Sequence, residues 1–545
     1  MFLDIDSIKG IRYIVNIAIN LNMKGSSIMA KNFFCTTSDP VVKTKAGLLR
    51  GFFFDGVYRF HGVKYATADR FMPPKAVEPW DGVKDALSYG YVAPLLSPNS
   101  PNGDLLIPHR FWVEDEDCLN LNVWTPALDD KKRPVMVWFH GGGYSAGSSI
   151  EMVAYEGDEM SKNGDCVVVT VNHRLNILGY FDLSAYGEEF ANSVNAGQAD
   201  LVASLEWVRD NIAAFGGDPD NVTIFGQSGG GGKVISLLQT PSADGLFKRG
   251  IMMSGGAGGF REPTLRRDKE IAELLIEELG GSDVSILQTV EFEDLSRAMR
   301  AIKGKLDEKG IRPMWAPMAN DWYVGDPWNV GYTEHAKTVP LMVGSVIAEW
   351  GFAANIPDMD SYAPEKRREM IAGKYGEENA DELISLFKEV YPEKNELTLM
   401  GISSRKGLLD FADKRAADCS ANTYIYLFTY QFPYNGGMPA WHCSDIPFAF
   451  HNTCRVAIAN EPGVSDGLEQ AYFGAYMAFA KNGDPNARGL VKWDAYNDNK
   501  TTMYFDAVTS GRQDADYKLQ QLLDKVVPSP FAPRKEVKKE EKMTF

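Results

Sequence analysis

Short apolar runs and helical stripes alternate along the chain. Residues 135–139 (Val-Met-Val-Trp-Phe) and 167–171 (Val-Val-Val-Thr-Val) are almost continuously apolar and rich in β-branched side chains. Runs that short predict strands buried on both faces. Residues 222–225, 250–253, 341–343 and 423–429 predict further strands of the same kind. A different period lies between them. Over residues 200–215, Leu201, Leu205, Val208 and Ile212 fall on one face of a helix. Gly216-Gly-Asp-Pro-Asp-Asn221 has turn chemistry. Strands alternating with helices predict an α/β fold, with a mostly parallel central sheet covered by helices on both faces. The long helical stretches at 266–279 and 364–391 predict helical cap insertions over the active edge of the sheet.

No internal repeat and no Pro/Gly/Ser linker interrupts this pattern, so residues 33–528 read as one domain. Residues 1–32 read as an N-terminal extension, with Met23 or Met29 as alternative starts. Lys9 and Arg12 followed by an apolar stretch give it a weak signal-like character, but Asn16 and Asn20 interrupt that stretch. The charged residues 529–545 read as a solvated tail.

Composition narrows the function. The net charge of −17 repels phosphate backbones and excludes nucleic acid as a partner. No apolar run is long enough to span a membrane. The six Cys form no CxxC pair and the seven His no HExxH motif, so neither a metal nor another cofactor is expected. Sparse cysteines give no sign of a disulfide-dense secreted scaffold, and the expected location is the cytoplasm. A secreted or periplasmic protein is the alternative if the N-terminal segment acts as a signal. Oligomeric state is not legible.

The chemistry lies in two GxSxG matches. The motif has catalytic meaning only at a turn between a strand and a helix. Gly226-Gln-Ser228-Gly-Gly230 meets that condition, with residues 222–225 before it and a helical pattern from Lys233 to Leu238 after it. Gly143-Tyr-Ser145-Ala-Gly147 sits in a glycine loop and reads as a chance match. Ser228 is therefore the candidate nucleophile, and the N–H of Gly229 a candidate oxyanion donor. His140-Gly-Gly-Gly143, directly after a strand, offers further donors. In this arrangement the acid and the base follow the nucleophile in that order. Downstream of Ser228 stand His335, His442 and His451. The acids weighed are Glu349, Asp413 and Asp445. Chain order disfavours Asp445 as the partner of His442, and Asp413 lies in a charged helical pattern.

The segments Glu116-Asp-Cys-Leu-Asn-Leu-Asn-Val-Trp-Thr-Pro126, Phe139-His-Gly-Gly-Gly-Tyr-Ser-Ala-Gly147 and residues 211–228 together resemble the type-B carboxylesterases. That group includes cholinesterases and bacterial para-nitrobenzyl esterases. The resemblance covers about Val41 to Asp506. It implies an α/β-hydrolase fold and a serine carboxylic-ester hydrolase that cleaves a small-molecule ester through an acyl-enzyme. It also implies a triad of Ser228, Glu349 and His442, with oxyanion donors at Gly142, Gly143 and Gly229. An amidase or carbamate hydrolase with the same triad is the alternative, and a non-catalytic binding protein of the same fold a remoter one. Three departures stand out. Gln227 replaces the usual Glu before the nucleophile, Gly229 replaces the commoner Ala, and Cys118 lacks the upstream Cys with which the family pairs it. Trp315, Trp322, Trp328, Trp350 and Trp441 either line an aromatic pocket or pack the cap and core.

Overall fold

The computed structural model describes residues 32–96, 107–255, 266–349, 356–402, 404–434, 436–497 and 499–526. The N-terminal extension and the charged tail lie outside these residues, apart from Asn32, as does Trp350.

A twelve-stranded sheet organises the chain. Its strands in sequence are Phe33–Phe34 (β1), Phe52–Phe54 (β2), Val57–Lys64 (β3), Asn120–Thr125 (β4), Arg133–Phe139 (β5), Val167–Val171 (β6), Gly217–Gln227 (β7), Arg249–Met253 (β8), Leu341–Val346 (β9), Thr423–Phe428 (β10), Thr501–Phe505 (β11) and Ser510–Gln513 (β12). The spatial order is β1-β2-β3-β4-β6-β5-β7-β8-β9-β10-β11-β12. From β6 through β11 every pairing is parallel. The N-terminal strands up to β4 and the last strand pair antiparallel.

Period-two alternation sends each strand's side chains into two cores. In β5, Val135, Val137 and Phe139 enter one, while Met136 and Trp138 enter the other. Leu341 and Val343 of β9 join the first, and Met342 and Val346 the second. The helices Ala196–Asn211 (α1), Gly229–Leu238 (α2) and Lys406–Asp418 (α6) contribute to the first core through Leu205, Leu237 and Phe411. On the other face Ser465–Asn482 (α7) brings Tyr472 and Phe479 into the second core. Both cores exclude water, so each apolar side chain of the parallel strands is stabilised by roughly 1.5–3 kcal/mol of transfer free energy.

Several expected boundaries move. α1 begins at Ala196, ahead of its apolar stripe, and its final turn over Ile212–Phe215 tightens to a 3₁₀ helix. The expected turn at 216–221 folds largely into β7 as a bulge. Arg133 faces Gly217 and Val135 faces Val222, so five residues of β7 advance against two of β5. The stretch 364–391 is two helices, Pro364–Tyr375 (α4) and Glu377–Val390 (α5), split at Gly376 with φ of 91°. They pack into the second core through Ile371, Leu383 and Phe387. Asp268–Glu278 (α3) builds a third apolar cluster with the helix Phe292–Ala301 and Phe181. Trp315 leans on that cluster against Phe181, while Trp322 and Trp328 lean on the first core. Trp441 is fully buried against Phe432 and is a packing group, while Trp315, Trp322 and Trp328 are half-buried.

Candidate active site

β7 ends at Gln227 and α2 begins at Gly229, which leaves Ser228 alone at the bend. Its φ of 57° and ψ of −122° are far from any relaxed L-residue conformation. The Ser228 N–H donates to Met253 O at 2.8 Å, and its carbonyl accepts from Gly232 N–H at 3.1 Å. These bonds from β8 and α2 hold the bend. The flanking glycines are there because backbones converge. A Cβ on Gly226 would stand 2.5 Å from the Gly230 carbonyl carbon, and one on Gly230 would collide with Phe139 O. Ser145 has no such setting. It is exposed in the loop after β5, where its N–H and that of Ala146 turn back to Gly142 O at 3.2 and 3.1 Å.

That turn puts Gly142 and Gly143 at φ of 78° and 64°, in the left-handed region open to glycine. Gly142 and Gly143 are exposed and Gly229 partly so. Among the described residues no hydrogen-bond acceptor meets the N–H of Gly142, Gly143 or Gly229. The loop lies directly on the start of α2. A Cβ on Gly229 would stand 2.5 Å from the Gly143 carbonyl carbon and closer still to its Cα and oxygen. The Gly at 229 is therefore required by the position of this loop.

Glu349 and His442 follow neighbouring parallel strands, β9 and β10. Main-chain bonds join their turns, with Ala348 N–H donating to Ala440 O at 3.0 Å and His442 N–H to Glu349 O at 3.1 Å. Val346 N–H donates to Glu349 Oε1 at 3.1 Å, which aims Oε2 at the imidazole. The His442 Nδ1–H donates to Glu349 Oε2 at 2.6 Å, and both side chains are largely buried. Gln227, the residue before Ser228, places Nε2 at 3.3 Å from both ring nitrogens of His442. The imidazole thus stands at the bend that carries Ser228.

The other candidates are engaged elsewhere. Asp445 is fully buried and accepts from Tyr472 Oη at 2.8 Å and Tyr426 Oη at 3.3 Å. Burial, with the Glu349 charge adding to it, pushes its carboxyl up to about 6 against the pull of the Tyr472 hydrogen bond. Asp413 is exposed and accepts from Tyr496 Oη at 3.0 Å. His451 stacks on Phe473 and lies 3.4 Å from Glu469 Oε1, and His335 is 3.9 Å from Asp244. Sequence reasoning missed Cys443. Its φ is 76°, and its thiol donates to Gln227 Oε1 at 3.2 Å, which turns the amide nitrogen toward His442. None of the six cysteines is in a disulfide, Cys118 included. Among the described residues no three His, Cys, Asp or Glu side chains group as metal ligands, and no helix is long and apolar enough to cross a membrane.

Residues 38–522 match the model of the carboxylesterase family. The chain belongs to that family. It is 30% identical over 498 residues to the para-nitrobenzyl esterase of Bacillus subtilis (strain 168), covering 89% of this carboxylesterase and 98% of that enzyme. Phenmedipham hydrolase of Pseudarthrobacter oxydans is 30% identical over 479 residues, covering 84% and 93%. Among solved structures, an esterase from Clostridium hathewayi that can hydrolyse aliphatic aromatic polyesters superposes with a TM-score of 0.86 at 46% identity. The match covers 91% of this chain and 100% of that one. A thermophilic PNB esterase gives 0.71 at 30% identity, covering 89% and 99%. This carboxylesterase has the α/β-hydrolase fold and hydrolyses carboxylic esters of small molecules, the family's route being an acyl-enzyme.

Proposed function

We propose that Ser228, His442 and Glu349 form the catalytic triad, with the N–H groups of Gly142, Gly143 and Gly229 as the oxyanion hole. The observation that carries this reading is the 2.6 Å Glu349–His442 bond beside a strained strand-to-helix bend. With Nδ1–H donated to Glu349, the His442 tautomer has an unprotonated Nε2, the basic nitrogen that takes the Ser228 proton. Ser228 Oγ then adds to the ester carbonyl carbon, and the charge on the carbonyl oxygen falls on the three N–H groups. The tetrahedral adduct collapses to the acyl-enzyme as His442 returns the proton to the departing alkoxide. Water then repeats both steps, with its proton taken by His442, and frees the carboxylic acid.

No metal or organic cofactor enters this scheme, and nucleic acid is not a partner. Six cysteines and no disulfide among the described residues support a cytoplasmic location. The relative active on aliphatic aromatic polyesters supports esters of that chemical class as substrates here. A fluorophosphonate probe tests the site. Label mapped to Ser228, lost in Ser228→Ala and retained in Ser145→Ala, is the expected result. Label on Ser145, or on neither serine, overturns the reading.

A further inference from the structure

Behind the His140–Gly143 loop lies a charged group for which the reaction above has no use. Lys233 is on α2, just past the bend at Ser228, and it is fully buried. Its Nζ donates to the His140 carbonyl at 2.8 Å. That carbonyl belongs to the peptide that opens the glycine loop. The ammonium also faces the Tyr144 ring at 5.7 Å, on the far side of the same loop. No salt bridge partners it among the described residues. A lysine placed for stability alone would lie at the surface or against a carboxylate.

The surroundings are arranged as if around a cation. His140 and His173 are both buried, with rings stacked at 5.1 Å. The Nδ1–H of His140 donates to Gly141 O and that of His173 to Arg174 O. Burial and the nearby ammonium hold both imidazoles well below their usual range, so they stay neutral. Glu151, itself buried, is the carboxylate whose field acts on the lysine. Two neutral imidazoles, the Tyr144 phenol and one carboxylate are thus the ionisable groups around Nζ. A positive charge fixed there lies between the carbonyl of His140 and the ring of Tyr144, the two residues that bracket the glycines of the loop.

We infer that Lys233 is a positioning residue for the oxyanion loop, anchoring the His140 carbonyl and lending its charge to the N–H groups of Gly142 and Gly143. The inference rests on the oxyanion assignment above. The anchor fixes where the loop starts over α2. The charge stabilises the transition state more than the ground state, because the substrate carbonyl becomes anionic only on attack. Burial, opposed only by Glu151, lowers the ammonium to about 7. The charge therefore acts at acidic and neutral pH and fades as pH rises, while the neutral amine still donates to His140 O.

Two variants separate the anchor from the charge. Lys233→Met keeps the stem and loses both. Lys233→Gln keeps a donor and loses the charge. The expected loss in kcat at pH 6 is about tenfold for the Gln variant and roughly thirtyfold for the Met variant, with KM within about twofold. The melting temperature should not fall in the Met variant, because removing a buried charge relieves desolvation. A residue that is only structural would lose stability along with activity. The ratio of wild-type to Gln kcat cancels the ionisation of His442. It should fall from about tenfold at pH 6 toward unity at pH 9. A ratio that does not change with pH, or a Met variant within twofold of wild-type kcat, overturns the inference. Fluorophosphonate mapping on the same preparations keeps the two readings apart. Label on Ser228 with unaltered Lys233 variants sinks this inference alone, and label elsewhere sinks the site assignment as well.

Discussion

Gly229→Ala introduces the residue more common in the family at this position, yet it should disable the enzyme. On this backbone the new methyl stands 2.5 Å from the Gly143 carbonyl carbon. Carbon atoms in ordinary contact are about 3.5 Å apart, so Gly143 must withdraw by about 1 Å. Gly143 carries one of the three proposed oxyanion donors. A hydrogen bond of about 2.9 Å would open to about 3.9 Å, beyond useful range. Loss of one such donor typically costs about 10²–10³ in kcat. The donors act on charge that develops during attack, so KM should stay within about twofold. The methyl also overpacks the site, at a cost of about 1–3 kcal/mol. For a chain of this length that lowers the melting temperature by roughly 1–3 °C. Steady-state kinetics with a chromogenic ester, alongside thermal melts, gives both numbers. A Gly229→Ala enzyme with kcat within threefold of wild type and an unchanged melting temperature would show that the loop does not rest on Gly229 in solution. The argument for the glycine would then collapse.

Glu349→Gln should lower kcat by roughly 10³–10⁴, since the amide no longer stabilises the imidazolium or fixes its tautomer, while Asp413→Asn stays within about twofold. Steady-state kinetics of the two variants at neutral pH decides this, and a collapse of the Asp413 variant would refute the acid assignment. Asp445 binds its proton more tightly in the folded chain than in the unfolded one, with the carboxyl raised to about 6. Between roughly pH 4 and 6 the native state therefore holds the extra proton, and stability falls as pH rises through that window, on the order of 2–3 kcal/mol. Urea unfolding of wild type and Asp445→Asn at pH 4 and pH 7 should show that decline in the wild type and little of it in the variant. Because none of the six cysteines is in a disulfide, dithiothreitol should leave the melting temperature within about 1 °C. A larger drop would reveal a disulfide.

The parallel strands β5 to β10 were legible in the sequence because both faces of each are buried, and their apolar runs carry no competing period; β11, Thr-Thr-Met-Tyr-Phe, has no such run and was missed. The bend at Ser228 was legible because the backbones of Phe139, Gly226 and Gly230 meet there and leave room only for hydrogen atoms. The pairing of Glu349 with His442 came from resemblance, since no local pattern marks two residues 93 positions apart. What escaped depends on contacts across the chain. The bulge at 217–221 forms only because β5 supplies a partner, and turn residues read alone predict a loop. Nothing near Cys443 says that its thiol will meet Gln227, more than two hundred residues away. Asp445 looked like a rival for His442 because of proximity in sequence. Its setting is decided by Tyr426 and Tyr472, which come from β10 and α7.

Glu349 and His442, the proposed acid and base, lie just past the ends of two strands whose register, Val346 opposite Phe428, is set within the sheet, and main-chain bonds close their turns. The crossover between β9 and β10, with α4, α5 and α6 inside it, leaves the sheet just beyond one member of the pair and returns in the strand that carries the other. Its helices are anchored in both cores through Ile371, Leu383, Phe387 and Phe411. The pair is thus indexed by the sheet and not by the length of chain between its members: exposed turns of the crossover can change in length while the distance over which the proton is shared stays the same.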